Sequence, residues 1–207
     1  MNQQLILDIS PTPTPTLDNF VIGSNQEVLN ALMQCQSGRA IYLYGAPGVG
    51  RTHLLQAMAA RHHGVYFSAS DSMAQLKKLI SAGSFTQPLV AIDNIEQFSA
   101  AGQAAIFALY NRWRECAASS QAFIILVSGE FAPLVTKVRE DLRTRLGWDL
   151  VFRLQHLSDA EREEALRTRA LEKSLHLTPE VMHWVLTQYE RDIEVISLWT
   201  SCGSPFG

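Results

Sequence analysis

The chain has 207 residues, of which 47% are hydrophobic and 18% are charged, and it carries a formal net charge of −3. A chain of this length and composition can bury a hydrophobic core, which excludes a disordered protein and predicts one or two globular domains. The small negative charge excludes a general electrostatic attraction to nucleic acid or to an anionic membrane, so any such contact must be local.

The amino-terminal residues divide into a short amphipathic run, 1–10, and a stiff segment, 11–16. The second segment reads Pro-Thr-Pro-Thr-Pro-Thr. Alternating prolines favour an extended, polyproline-like chain. We therefore expect residues 11–16 to be a tether that holds residues 1–10 in solvent, away from the folded body.

Short apolar runs alternate with helical patterns through residues 17–157. The runs predict strands at 40–44, 65–68, 89–93, 123–127 and 151–154. Apolar residues spaced by three and four predict helices at 52–61, 72–81 and 104–118. This alternation predicts an α/β domain of the P-loop type, with a parallel five-stranded sheet and helices on both faces. Such a sheet binds its ligand at the carboxyl ends of its strands.

From residue 158 onward the pattern is only helical. Ser158 and Glu161 predict a capping box that opens a helix at 159–175, and Pro179 is typical of the first position of another helix. We expect residues 158–198 to form a partial helical lid. Residues 199–207 can neither continue a helix nor bury a face, so we interpret them as an interruption, such as a premature stop or a shifted reading frame. A functional tail is the alternative.

The segment that follows the first predicted strand is the most informative motif. It reads Gly-Ala-Pro-Gly-Val-Gly-Arg-Thr and matches the P-loop pattern, except that Arg51 stands where lysine is usual. Glycines let backbone N–H groups face a phosphate, and the helix N-terminus adds its dipole. A guanidinium is longer and planar, so we expect binding to persist and hydrolysis to be impaired. A glycine-rich turn without a ligand is the alternative. The predicted nucleotide-binding residues here are Gly45, Pro47, Gly48, Val49, Gly50, Arg51, Thr52 and His53.

Acidic residues follow two of the predicted strands. Asp93 ends an apolar strand in the Walker B layout, so we predict that Asp93 and the Thr52 hydroxyl hold Mg²⁺. A helix-capping aspartate is the alternative. Asn94 cannot act as a base, and Glu96 lies beyond the strand end. Glu130 follows the next strand, where a polar residue would sense a γ-phosphate, but an acid repels phosphate unless a cation intervenes. A sensing role and a side chain that points elsewhere both stay open.

Residues 139–148 are rich in arginine and lie at the end of the predicted α/β domain. For Arg139 and Arg143 we favour a solvated helix face. Arg145 differs because it precedes Leu-Gly-Trp, and we expect burial of Trp148 to anchor this turn. A guanidinium held rigidly at a domain edge can reach the γ-phosphate of a neighbouring molecule, as an arginine finger does. We therefore predict that Arg145 acts in trans.

Cysteine usage and terminal composition bear on the compartment. Cys35, Cys116 and Cys202 are far apart and lack metal-ligand spacing, which predicts neither a disulfide framework nor a zinc site. No basic leader precedes an apolar stretch, and no apolar run is long enough to span a bilayer. We expect a cytoplasmic protein with no membrane contact.

Together these motifs resemble those of the DnaA-like branch of the AAA+ ATPases, over almost the whole chain. The resemblance is carried by the P-loop and by residues 20–26, 92–96, 109–112 and 143–148. It implies that Phe20 and Val21 line an adenine pocket and that the site binds ADP or ATP with Mg²⁺. The lid of this branch carries a second sensor arginine, and ungapped matching places Glu194 there, which is a departure. The chain stops without a basic helix-turn-helix domain, so we expect no direct sequence-specific DNA binding.

Residues 4–9 resemble the peptide by which proteins bind the sliding clamp, the β subunit of DNA polymerase III. Leu5 and Leu7 would fill an apolar pocket while Gln4 bonds its rim. An edge strand is the alternative interpretation.

The resemblance implies a regulator of replication initiation that binds an adenine nucleotide and the clamp and stimulates ATP hydrolysis by DnaA. It leaves a homo-oligomer open. Two other functions also stay open, an independent AAA+ ATPase such as a helicase loader and a DnaA-like origin-binding initiator fragment. Arg51 and Asn94 argue against efficient ATP hydrolysis by the chain alone.

Overall fold

The computed structural model describes residues 14–71, 73–81, 86–172 and 176–188. The chain divides into two units, residues 15–156 and a second unit that contains the two helices after residue 157. Pro15 and Thr16, the last two residues of the predicted tether, belong to the first unit. There the backbone N–H of Thr16 donates to Oδ1 of Asn19 at 2.8 Å. The predicted clamp peptide, residues 11–13 of the tether, residues 189–198 of the lid and the tail 199–207 lie outside the described residues.

The first unit is built on five parallel strands, as predicted. They are β1 (Ala40–Tyr44), β2 (Val65–Phe67), β3 (Leu89–Ile92), β4 (Ile124–Gly129) and β5 (Leu150–Arg153). Their order across the sheet is β2-β3-β4-β1-β5, and every pairing is parallel. The carboxyl ends of β1, β3 and β4 therefore meet at one edge.

Helices cover both faces of this sheet. They are α1 (Gln26–Met33), α2 (Arg51–Arg61), α3 (Met73–Ser81), α4 (Ala100–Cys116) and α5 (Glu140–Leu146). Alternate strand residues face opposite sides, which produces two cores. One core joins β1, β3 and β4 to α1 and α2, through residues such as Leu43, Leu32 and Leu54. The other joins the same strands to α3, α4 and α5, through residues such as Val127, Leu109 and Leu142.

The second unit contains α6 (Asp159–Glu172) and α7 (Pro179–Gln188). Its described core pairs Leu166, which is fully buried, with Met182. The predicted capping box is confirmed, because the N–H of Ser158 donates to Glu161 and the N–H of Glu161 donates back to Ser158. None of the described helices is long and apolar enough to cross a membrane.

Two differences from the sequence predictions concern the elements around the ligand-binding edge. The strand predicted at 123–127 begins at Ile124 and extends to Gly129, because Ser128 and Gly129 pair with β1. The helix predicted at 104–118 begins at Ala100, where the Ser99 side chain accepts from the N–H of Gly102. Helix α1 is not among the predicted helices.

Candidate functional site

The P-loop joins the carboxyl end of β1 to the amino end of α2. Gly48 and Gly50 adopt positive φ angles of 82° and 91°. A Cβ atom on Gly50 would also lie 2.6 Å from Cε2 of Phe20, so both the backbone angle and the close ring require glycine. The loop therefore has the curled backbone, followed directly by a helix N-terminus, that cradles phosphate in P-loop proteins.

A segment before α1 closes one side of this loop. The Phe20 ring is buried and lies at a centroid distance of 5.5 Å from the His53 ring. His53 in turn contacts the carbonyl oxygen of Thr16 at 2.8 Å. Asn25 exchanges two hydrogen bonds with the backbone of Gln155, at 3.0 Å and 2.8 Å. These contacts bring the predicted residues Phe20 and His53 together at the P-loop, and the half-buried Val21 lies in the same segment.

Arg51 lies buried at the first position of α2, with 9% of its surface exposed. Its Nη1 atom is buried and has no hydrogen-bond partner among the described residues. An unpaired guanidinium nitrogen in such a place is costly unless an anion lies beside it. The arginine that departs from the P-loop pattern is thus an available donor inside the loop.

Three hydroxyl groups converge on Asp93, whose carboxylate is almost fully buried. Thr52 donates to Oδ2 at 2.7 Å, Tyr66 donates to Oδ2 at 2.8 Å, and Ser128 donates to Oδ1 at 2.5 Å. Burial, followed by the bond to Asp93, raises the pKa of Tyr66 well above its usual value, so this hydroxyl keeps its proton. The predicted pair Thr52 and Asp93 is in contact, and their oxygen atoms are of the type that Mg²⁺ prefers.

Sequence reasoning missed Tyr66 and Ser128. Each is a polar residue in an otherwise apolar strand that ends at the same edge as Asp93. Their chain positions give a signal, but only the strand order β2-β3-β4 places both beside the carboxylate.

Glu96 returns to the sheet edge although it follows the end of β3. Its Oε1 accepts from the backbone N–H of Glu130, and its buried Oε2 has no partner among the described residues. A Cβ atom on Gly129 would lie 3.0 Å from this Oε2 and 2.1 Å from the Tyr42 hydroxyl, so only glycine fits there. Burial raises the pKa of Tyr42 to about 12, and the nearby Glu96 carboxylate adds to this shift.

Asn94 and Glu130 contribute backbone groups to this edge. Asn94 adopts a left-handed backbone with φ of 50°, and its N–H donates to the Ser128 hydroxyl at 2.9 Å. Glu130 contacts Glu96 through its N–H, and its side chain is half-buried. A γ-phosphate-sensing role for the Glu130 carboxylate stays a prediction.

Arg145 lies at the carboxyl end of α5 and is held by rings. Its Cζ atom lies 3.7 Å from the ring centroid of Trp148 and 5.0 Å from that of Phe107. Its Nη2 donates to Oδ1 of Asn111 at 3.4 Å, and its Nε is buried without a partner among the described residues. No ion pair of the described residues includes Arg145. The guanidinium is therefore half-buried, oriented and not neutralised.

The expected burial of Trp148 is wrong. The side chain is 36% exposed, because its ring serves as a stacking surface for guanidinium groups and does not enter the core. Arg139 is exposed and pairs with Asp141 at 2.7 Å, which agrees with a solvated helix face. Arg143 is half-buried. The predicted clamp residues Gln4, Leu5 and Leu7, and the position of Glu194, lie outside the described residues.

Comparison with known proteins identifies the fold. No family model matches the sequence. An uncharacterised protein of Haemophilus influenzae is 27% identical over 207 residues, covering 95% of this chain and 87% of that protein. The replication initiator DnaA, bound to AMPPCP and single-stranded DNA, matches with a TM-score of 0.71 and 22% identity. A variant of RuvB from Thermotoga maritima matches with a TM-score of 0.65 and 16% identity.

The chain has the fold shared by these DnaA and RuvB structures. The matches cover 93% of this chain for DnaA and 92% for RuvB. The chain spans 65% of the length of that DnaA chain and 63% of that RuvB chain. The predicted fold class is thus confirmed, and the sheet edge described above is the edge at which an α/β sheet of this kind binds ligands.

Proposed function

We propose that this chain is a nucleotide-binding regulator of replication initiation of the Hda type, which stimulates ATP hydrolysis by DnaA in trans. The observation that carries the proposal is the environment of Arg145, a half-buried guanidinium that packs against two aromatic rings and has no acidic partner among the residues that the structure describes. Such a group stabilises negative charge that develops on a phosphoryl group in transfer, which is the role of an arginine finger.

The chain's own P-loop would hold an adenine nucleotide, ADP or ATP, with Mg²⁺. The buried Nη1 of Arg51 would donate to a phosphate oxygen, and the backbone of Gly48 and Gly50 would surround it. Thr52 and Asp93 would hold the metal, whose charge offsets that of the phosphates. The DnaA comparison structure binds AMPPCP, an adenine nucleotide analogue, which supports an adenine ligand here.

Clamp binding completes the proposal. Gln4, Leu5 and Leu7 would bind the β subunit of the sliding clamp, and the tether would let the AAA+ unit reach DnaA on the same DNA. In this proposal the chain meets both partners in the cytoplasm.

The test reconstitutes DnaA loaded with labelled ATP, the clamp on DNA, and this chain. We expect the fraction of DnaA-bound ADP to rise when the chain is added. Arg145→Ala should return hydrolysis to the rate of DnaA alone while nucleotide and clamp binding persist. Arg139→Ala is the matched control, because Arg139 lies near the same helix but pairs with Asp141. Equal stimulation by the wild type and by Arg145→Ala would reject the finger.

Glu96 supports one alternative, an independent ATPase such as a helicase loader. Its buried Oε2 lies at the sheet edge without a partner among the described residues, as a base for water would require. The purified chain would then hydrolyse ATP without DnaA, and Glu96→Gln would abolish this activity. We expect negligible turnover by the chain alone, because Arg51 replaces the catalytic lysine.

A further inference from the structure

The indole ring of Trp148 lies against two guanidinium groups. The Cζ atom of Arg145 is 3.7 Å from its centroid, and the Cζ atom of Arg114 is 4.9 Å from it. A cation within about 6 Å of an indole face is attracted by the ring quadrupole. Neither arginine belongs to an ion pair of the described residues. Among the described residues, both guanidinium groups therefore contact the indole ring, and neither forms an ion pair with a carboxylate.

Because Arg145 packs on the Trp148 ring and not on a carboxylate, its guanidinium N–H donors remain available. A carboxylate would bond the edge of the guanidinium and neutralise it, whereas an aromatic ring contacts only the face. The contact to Asn111, at 3.4 Å, is long for a hydrogen bond and fixes the group weakly. The stack on Trp148 is the shortest of the ring contacts of Arg145 and therefore the main restraint on the plane of its guanidinium.

We propose that Trp148 is the positioning residue for Arg145, and that Arg114 holds the indole in place from the end of α4. The inference rests on the proposed function, because only there does Arg145 act on a partner's triphosphate. Loss of the stack would leave the finger present and charged but free to rotate. The maximal stimulated rate should then fall, while the concentration of this chain needed for half-maximal stimulation stays the same.

The test compares three replacements of Trp148 in the reconstituted DnaA assay. Trp148→Leu removes the ring and keeps an apolar side chain, and we expect the maximal rate to fall about 3-fold to 30-fold, the range of a cation–π contact. Trp148→Phe and Trp148→Tyr keep a ring and should retain most of the rate. Arg114→Ala should lower the rate by about threefold, the lower end of that range. Trp184→Leu is the matched control, since Trp184 is also exposed but lies in the second unit.

A spectroscopic arm tests the stack without any partner. Arg145→Ala should change the tryptophan emission of the wild-type chain and leave the emission of Trp148→Phe unchanged. Stimulation that stays at the wild-type level in Trp148→Leu, or that falls equally in Trp148→Phe and Trp148→Leu, overturns the positioning role alone. A wild-type rate that persists in Arg114→Ala overturns the part assigned to Arg114. A wild-type chain that does not stimulate DnaA at all overturns the proposed function and this inference together.

Discussion

Replacement of Gly50 by alanine tests the link between P-loop geometry and the segment that contains Phe20. An alanine at φ of 91° adopts a left-handed conformation that costs about 1–2 kcal/mol. Its Cβ would lie 2.6 Å from Cε2 of Phe20, so the ring must leave a site in which it is 91% buried, given its 9% exposure. Losing part of that burial adds about 1–2 kcal/mol. We expect Gly50→Ala to lower the free energy of unfolding by about 2–4 kcal/mol.

Urea denaturation measures the loss of stability, and titration with a fluorescent ADP analogue measures the affinity of the site for the nucleotide. Displacement of Phe20 should also lower ADP affinity at least tenfold, because the ring packs directly on the P-loop. Gly147→Ala is the matched control. Gly147 has φ of −97°, and its nearest contact to an added Cβ is 3.9 Å, so we expect a change of less than about 0.5 kcal/mol. Equal costs for the two variants would refute the argument from φ and from ring contact.

Two further predictions concern stability. The bidentate bonds from Arg39, together with the bond from the N–H of Ala40, hold the pKa of Asp149 below its usual value. The stability that Asp149 contributes is therefore present above about pH 4 and is lost as the pH falls through the lowered pKa. Asp149→Asn should lower the free energy of unfolding at pH 7 by about 1 kcal/mol, a value discounted because Arg39 is half-exposed. It should also flatten the acid limb of the curve of unfolding free energy against pH. Equal acid limbs for Asp149→Asn and the wild type would contradict the assignment. Ser128→Ala should cost about 2–3 kcal/mol and Tyr66→Phe about 1–2 kcal/mol in urea denaturation, because the Ser128 hydroxyl also accepts the N–H of Asn94. The reverse order would contradict the network around Asp93.

The five strands were predictable because each is a short apolar run bounded by polar or turn residues. Strand β1 agrees with its predicted bounds, β2 and β3 each end one residue earlier than predicted, and β4 and β5 differ by one or two residues at both ends. The extension of β4 to Gly129 was not predictable from apolarity. Ser128 continues the strand because its hydroxyl bonds Asp93, and Gly129 continues it because its carbonyl accepts the N–H of Gly45. A polar residue in a strand is visible in the sequence, whereas its partner on another strand is not.

The P-loop and its partner Asp93 were also predictable, since both follow strands that end at one edge. The stacking role of Trp148 was not. A large aromatic side chain is usually buried. Stacking of Trp148 on guanidinium groups depends instead on Arg145 and Arg114, which reach the ring from two different helices. The return of Glu96 to the sheet edge likewise depends on a backbone N–H, which has no sequence signature.

In the proposed function, two arginines that form no ion pair within the described part of the chain, Arg51 and Arg145, would serve two different phosphate sites. Arg51 is 9% exposed and its Nη1 has no partner among the described residues, so an anion bound within the P-loop would remove a desolvation cost that the free protein bears. A nucleotide bound there should therefore stabilise the α/β unit by mass action, and the relief of this cost would contribute to its affinity. Arg145 bears less of this cost, because aromatic faces and water share its charge. In the proposed function it would stay unpaired at the surface until a partner's triphosphate arrives. The deeply buried Arg51 would thus bind the nucleotide that the chain keeps. The half-buried Arg145 would act on the nucleotide of a partner.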